Sequence, residues 1–266
     1  MKLSRVESGR HEASRRVKMK FAKGEGSAMD VEVFADDEST ARGAAKRIVA
    51  ESIAAVAARG RFVIAVSGGH SPWIMLRMLA NEELPWEHVH VFQVDERIAP
   101  IGHEERNLTH LRESLLGNAP IYPEQIHAMA VESPDLEAAA VQYASTLCEI
   151  AGSPPVLDLV HLGLGPDGHT ASLVPEDPVL KVADRDVALT GAYQGRRRMT
   201  LTYPIINRAR RILWLVTGSE KARMLARLRR SDGSIPAGLV QQDSALLFAD
   251  RAAVAVNVGA GAMGAL

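Results

Sequence analysis

Five apolar residues in a row, Phe62-Val63-Ile64-Ala65-Val66, end abruptly in Ser67-Gly68-Gly69. A run without apolar/polar alternation suits a strand buried on both faces, as in a parallel sheet. The same pattern recurs, and Val31 to Phe34, Val89 to Val94, Leu157 to Leu164, Asp186 to Leu189, Met199 to Thr202, Arg211 to Val216, Ala245 to Phe248 and Ala253 to Val256 read as strands. Helical stretches separate them: Ser39 to Arg59, Pro72 to Leu79, Asn107 to Leu116, Leu136 to Ala151 and Glu220 to Arg230. The first puts Ala44, Ile48, Ile53 and Val56 on one stripe and follows Asp36-Asp37-Glu38, acidic residues suited to a helix N-terminus. Strands alternating with helices imply one three-layer α/β/α domain, over residues 29–266, with a mainly parallel sheet.

Charge and cysteine usage narrow the function classes. Lys and Arg number 31 against 32 Asp and Glu, a net charge of −1, so the basic footprint of a duplex nucleic-acid binder is absent. One cysteine, Cys148, has no internal partner, which suits a reducing, cytoplasmic setting. The apolar runs fall far short of the roughly 18 residues that span a bilayer, so no membrane partner is expected. Residues 1–28 are the odd segment: eight Lys or Arg and three Glu give it +5. They read as a disordered basic leader, too short for a helix-turn-helix module plus linker, with Met29 opening the globular body.

Ligands of open α/β sheets gather beyond the carboxyl ends of the strands. The first such place is Ser67-Gly68-Gly69-His70-Ser71-Pro72. Its glycines let backbone N–H groups approach an anion, and Ser71 can cap the following helix with Pro72 at its first position. A plain tight turn fits these residues equally well. The second is Asp95-Glu96-Arg97 with Arg106-Asn107, able to orient a polyol and grip an anion, or simply a surface ion-pair cluster. The third, Gly163-Leu164-Gly165-Pro166-Asp167-Gly168-His169-Thr170-Ala171-Ser172, matches G-x-G-x-x-G. Asp167 would place a carboxylate where a pyrophosphate must sit, and Pro166 removes an N–H, so a dinucleotide site is rejected. Asp167 and His169 instead make either a carboxylate–imidazole pair, the material of a general base, or a purely structural histidine, which the surrounding glycines and the strand-end position disfavour. The fourth is Lys221 after Thr217-Gly218-Ser219, with Arg196-Arg197-Arg198 upstream, where an anion would offset a lysine in a first helical turn.

Together these segments, with Thr200-Leu201-Thr202 after Arg198 and Gly218-x-x-Lys221, resemble the 6-phosphogluconolactonase family across roughly residues 30 to 258. The resemblance implies a Rossmann-like sheet shared with glucosamine-6-phosphate deaminase and related to ribose-5-phosphate isomerase. It implies hydrolysis of 6-phosphoglucono-δ-lactone in the oxidative pentose phosphate pathway, with no metal or organic cofactor. On that basis His169 and Asp167 are the expected catalytic pair. Ser67, Gly68, Gly69, His70, Ser71, Asp95, Arg97, Asn107, Arg198 and Lys221 are the expected binders of a small sugar phosphate. Two positions depart from the family pattern: Arg106, expected to alter a substrate contact, and His70, an imidazole near a phosphate. The deaminases resemble Asp-Gly-His-Ile-Ala-Phe-Asn-Glu-Pro at the third loop, with a catalytic Glu before the proline. Here that slot is Val174, which favours lactonase over a deaminase/isomerase-like enzyme. A non-catalytic sugar-phosphate sensor is the other alternative, and it would have no use for the Asp167–His169 pair.

Overall fold

The computed structural model describes residues 29–255. The expected leader at 1–28 lies outside them, as does Val256. The chain runs β1 (Asp30–Phe34), α1 (Asp37–Arg59), β2 (Phe62–Val66), α2 (His70–Leu79), β3 (Val89–Gln93), β4 (Asp95–Arg97) and α3 (Asn107–Leu111). It continues with β5 (Ile126–His127), α4 (Leu136–Ala151), β6 (Leu159–Leu162), β7 (Val187–Leu189), β8 (Arg198–Leu201) and α5 (Tyr203–Arg208). It closes with β9 (Ile212–Val216), α6 (Ala222–Leu228), β10 (Ala245–Asp250) and α7 (Arg251–Val254).

Seven strands form a parallel sheet in the order β1-β10-β9-β6-β2-β3-β5. One face carries Phe62, Ile64, Leu159, Leu213 and Phe248 into a core with Ile48 of α1 and Met75 and Leu76 of α2. The other carries Val63, Ala65, Val160, Leu162 and Trp214 against Leu147 of α4 and Leu225 of α6. Burial on both faces is why these strands read as unbroken apolar runs. From β2 the chain builds outward through β3 to β5, and from β6 it builds the opposite way through β9 to β10. The topological switch therefore falls between β2 and β6, where a crevice opens at the strand ends.

α1 is set by its ends. Asp36 accepts the Ser39 N–H at 2.8 Å while Ser39 Oγ accepts the Asp36 N–H, and Gly60 stops the helix at φ +74°. Its buried stripe is Ala41, Ala44, Ala45, Ile48 and Ala55. Ile53, expected on that stripe, is 55% exposed, because the buried face runs through Ala41, Ala44, Ala45, Ile48, Ser52 and Ala55 and leaves Ile53 to one side. The strand expected from Ala253 is instead the end of the short helix α7, whose first turn Asp250 caps by accepting the Ala253 N–H at 2.7 Å. A second sheet, antiparallel in the order β4-β8-β7, was not foreseen. At Val94 the chain leaves the parallel sheet and enters it: the Val94 N–H reaches Val66 O, while its carbonyl accepts the Leu201 N–H.

Candidate active site

The turn after β2 begins with a spent amide. The Ser67 N–H donates to His161 Nδ1 at 3.3 Å, leaving Ser67 Oγ buried without a protein partner. Gly68 is required by close approach, since a Cβ there would sit 2.2 Å from Asn107 Oδ1. Gly69, at φ +128°, swings the chain into α2, which starts at His70, two residues earlier than expected. Ser71 is thus inside the helix rather than its cap, and its hydroxyl pairs with Thr217 Oγ1 at 2.6 Å. Thr217 leads into Gly218, at φ +93°, whose N–H is held by Asp250, and then to Lys221 at the end of a 3-10 turn. The first-turn amides of α2 thus face the same space as Lys221.

β4 and the start of α3 are stitched together by Glu96, which is fully buried. Its carboxylate accepts from Gln93 Nε2 and from the backbone N–H groups of Arg97, Asn107 and Leu108, all at 2.8–2.9 Å. The Arg106 guanidinium lies 3.2 Å from Glu96 and 2.5 Å from Glu132 and is 1% exposed. Arg106 is therefore an internal counter-ion to Glu96, and the expected alteration of a substrate contact does not arise. Asn107 donates to Asp95 O and accepts from Arg97 Nη1 at 2.8 Å, while Asp95 accepts the Ser172 hydroxyl at 2.5 Å. Arg198 is buried beside them; its Nη1 is 3.5 Å from Ser172 Oγ and its Nε has no protein partner.

The turn after β6 carries the carboxylate–imidazole pair. Asp167 Oδ1 lies 2.5 Å from His169 Nδ1 and accepts the His169 N–H at 3.1 Å. Burial works to raise the Asp167 carboxyl, but the hydrogen bonds and charge of His169 and the Tyr193 hydroxyl outweigh it and hold it below the usual carboxylate range. An ionised Asp167 only accepts, so the neutral imidazole carries its proton on Nδ1 and offers a lone pair at Nε2. Gly165 packs beneath the ring, where a Cβ would be 2.1 Å from Nδ1. The segment continues through turns rather than into a helix, so its G-x-G-x-x-G spacing lacks the helix N-terminus that a pyrophosphate needs. Val174 is buried and supplies no acid or base.

Ser67, Gly68, Gly69, His70, Ser71, Asp95, Arg97, Asn107, His169, Arg198 and Lys221 line one cavity of about 560 Å³ at the switch point. Asp167 stands behind His169 rather than in the wall. His70 sits at the rim, its side chain 85% exposed and its Nε2 3.6 Å from Asp37. Thr217 and Asp250, also in the wall, were missed, as were Ser172 and Tyr193 behind it. Tyr193 donates to Asp167 Oδ2 at 2.9 Å. Its only sequence signal is an aromatic residue between Gly191 and Gly195. Among the described residues no cluster of three His, Cys, Asp or Glu is arranged to hold a metal.

An imidazole held by a carboxylate, in a crevice that also holds Arg97, Arg198 and Lys221 at the switch point of a parallel sheet, is the arrangement of an α/β enzyme. The family model described as "Glucosamine-6-phosphate isomerases/6-phosphogluconolactonase" matches residues 35–248, and the chain belongs to that family. The 6-phosphogluconolactonase of Mycobacterium tuberculosis is 38% identical over 239 residues, spanning 85% of this chain and 97% of the relative. The crystal structure of 6-phosphogluconolactonase from Thermotoga maritima superposes with a TM-score of 0.74 at 26% identity, over 83% of this chain and 99% of that one. A monomeric glucosamine-6-phosphate deaminase shares the fold, with a TM-score of 0.71 at 19% identity over 85% of this chain and 98% of its own. Among the described residues no helix is long and apolar enough to cross a membrane.

Proposed function

We propose that this chain hydrolyses 6-phospho-D-glucono-1,5-lactone to 6-phosphogluconate, in the cytoplasm and on the free sugar phosphate. The observation that carries this reading is the Asp167–His169 pair standing in the same cavity as Lys221, Arg198 and the first-turn amides of α2. Lys221, Arg198 and the Gly68–Ser71 backbone hold the 6-phosphate through charge-assisted hydrogen bonds. His169 Nε2 takes a proton from water as the water oxygen bonds to C1, and the carbonyl electrons move onto oxygen. Arg97, steadied by Asn107, faces that developing charge. Collapse of the intermediate breaks the bond from C1 to the ring oxygen. The His169 imidazolium, stabilised by Asp167, returns its proton to that oxygen.

Each step uses groups of this chain and one water, and no nucleic acid is called for. Val174 in the slot before Pro175 supports lactone opening over amine chemistry, because the latter needs another acid or base. The test follows hydrolysis of freshly generated lactone, subtracting its spontaneous opening. His169→Ala is expected to lose about 10²- to 10⁴-fold in kcat, the usual share of a general base. Undiminished turnover in that variant would remove His169 from the mechanism, and no acceleration by the unaltered chain would remove the reaction itself.

A further inference from the structure

We infer that Tyr193 is a positioning residue: its hydroxyl fixes Asp167 and its ring supports Arg198, so that one side chain aligns both the base and a substrate-binding cation. The inference rests on the proposed roles of His169 and Arg198. Tyr193 lies on the loop between β7 and β8, outside the cavity wall. Its hydroxyl donates to Asp167 Oδ2 at 2.9 Å while the other oxygen, Oδ1, takes His169 Nδ1 at 2.5 Å. Both carboxylate oxygens are thereby engaged, and the carboxylate plane cannot turn without breaking a bond. The Tyr193 ring meets the imidazole edge-on, with centroids 5.4 Å apart at 66°. The Arg198 guanidinium stands 5.0 Å over the same ring, and its Nη2 reaches Gln194 on the same loop.

The loop is itself tied down. Tyr193 and Arg196 exchange backbone hydrogen bonds across a turn with Gln194 and Gly195 at positive φ. Arg196 pairs with Glu105 on the segment between β4 and α3. Burial, with the bond and charge of Asp167, pushes the Tyr193 phenol above its ordinary value, so it stays a donor through the working pH range.

The two functions separate by substitution. Tyr193→Phe keeps the ring and loses only the hydroxyl. Its kcat is expected to fall about three- to tenfold, the range of one lost hydrogen bond, with KM within about twofold. Asp167, no longer shared, becomes a stronger acceptor for the imidazole, and the acid limb of the kcat/KM profile moves to higher pH. Tyr193→Leu also loses the ring beneath Arg198, and KM for the lactone should rise about fivefold or more beyond the Phe variant. A Phe variant with unchanged kcat and an unmoved acid limb overturns the inference, whatever His169→Ala does. Equal KM in the Leu and Phe variants overturns the Arg198 half alone. An active His169→Ala defeats the base assignment instead, so the two failures are distinct.

Discussion

Arg97 and Arg198 stand directly opposite each other in the antiparallel pairing of β4 with β8. Like charges placed so are unfavourable, and here one of them is buried with its Nε unpaired. Burial first, against the opposing charge of Asp95 and with the Arg97 charge adding to it, lowers the Arg198 guanidinium from its ordinary value. A bound anion relieves both penalties. The product 6-phosphogluconate at about 100 times its Kd should stabilise the protein by roughly 2.7 kcal/mol, raising Tm by several degrees. In Arg198→Met, with lactone KM increased at least about tenfold, that rise should fall by about half or more at the same product concentration, while the unliganded Tm stays equal or climbs. Scanning fluorimetry with and without product decides it: a full ligand-induced rise in the variant removes Arg198 from the binding site.

The 2.5 Å contact of Asp167 with His169 makes a second expectation specific to one proton. Asp167→Asn preserves shape but removes the negative charge that pairs with Nδ1–H and stabilises the imidazolium, which weakens the base. kcat should fall on the order of 10²- to 10⁴-fold with little change in KM. Because the carboxyl is held below the usual range, it remains ionised from pH 5 upward, so no limb of the rate profile above that pH belongs to Asp167. Steady-state rates across pH for the chain and the variant test both statements; a variant with a near-normal rate contradicts the role given to the Asp167 charge.

What could be read from residues alone follows from which interactions are local. β2 and β9 were legible because burial on both faces leaves an unbroken apolar word, and Gly-rich turns mark where the words end. The β4-β8-β7 sheet was not: β4 is the three residues Asp95-Glu96-Arg97, whose burial depends on partners about 100 residues away. Glu96 shows the same limit, being an ordinary exposed residue type that here satisfies three backbone N–H groups in the interior. The effect of Arg106 on the site could not be read from residues alone, because only the fold reveals Glu96 and Glu132 beside it. Ser71 looked like a cap because Gly69 carries no side chain to announce that the helix has begun. The chemistry-bearing loops were visible since each sits within a few residues of its strand end. Tyr193 was hidden because it acts across the pair from another loop.

Gly165 offers a test of distance rather than chemistry. Its φ is not in the left-handed region, so alanine fits the backbone, yet the added Cβ would lie 2.1 Å from His169 Nδ1. The imidazole must move, and the bond to Asp167 breaks with it. Gly165→Ala should therefore lose at least about 10²-fold in kcat, as a displaced general base would, with Tm changed by only a few degrees. Activity and melting point measured on the same preparation separate this outcome from unfolding. A variant retaining most of its turnover would mean that His169 works equally well in another position.

His161 ties the loop to acid stability. It lies at the end of β6, fully buried, and desolvation drives its pKa down to about 3; Nδ1 accepts the Ser67 N–H. In the unfolded chain the same imidazole titrates near its ordinary 6.5. The folded state therefore refuses a proton that the unfolded state accepts. Stability is complete above about pH 6.5 and is lost as pH falls toward 3, by up to ~1.4 kcal/mol per pH unit for this group. His161→Asn keeps an acceptor for Ser67 and cannot titrate, so its stability should be lower at neutral pH but flatter with acid. Denaturant midpoints at pH 7, 6 and 5, above the range where most carboxylates protonate, read the difference directly. Parallel losses in the two proteins would mean that His161 takes up its proton in the folded state, and that the Ser67 amide is then free to serve the bound phosphate.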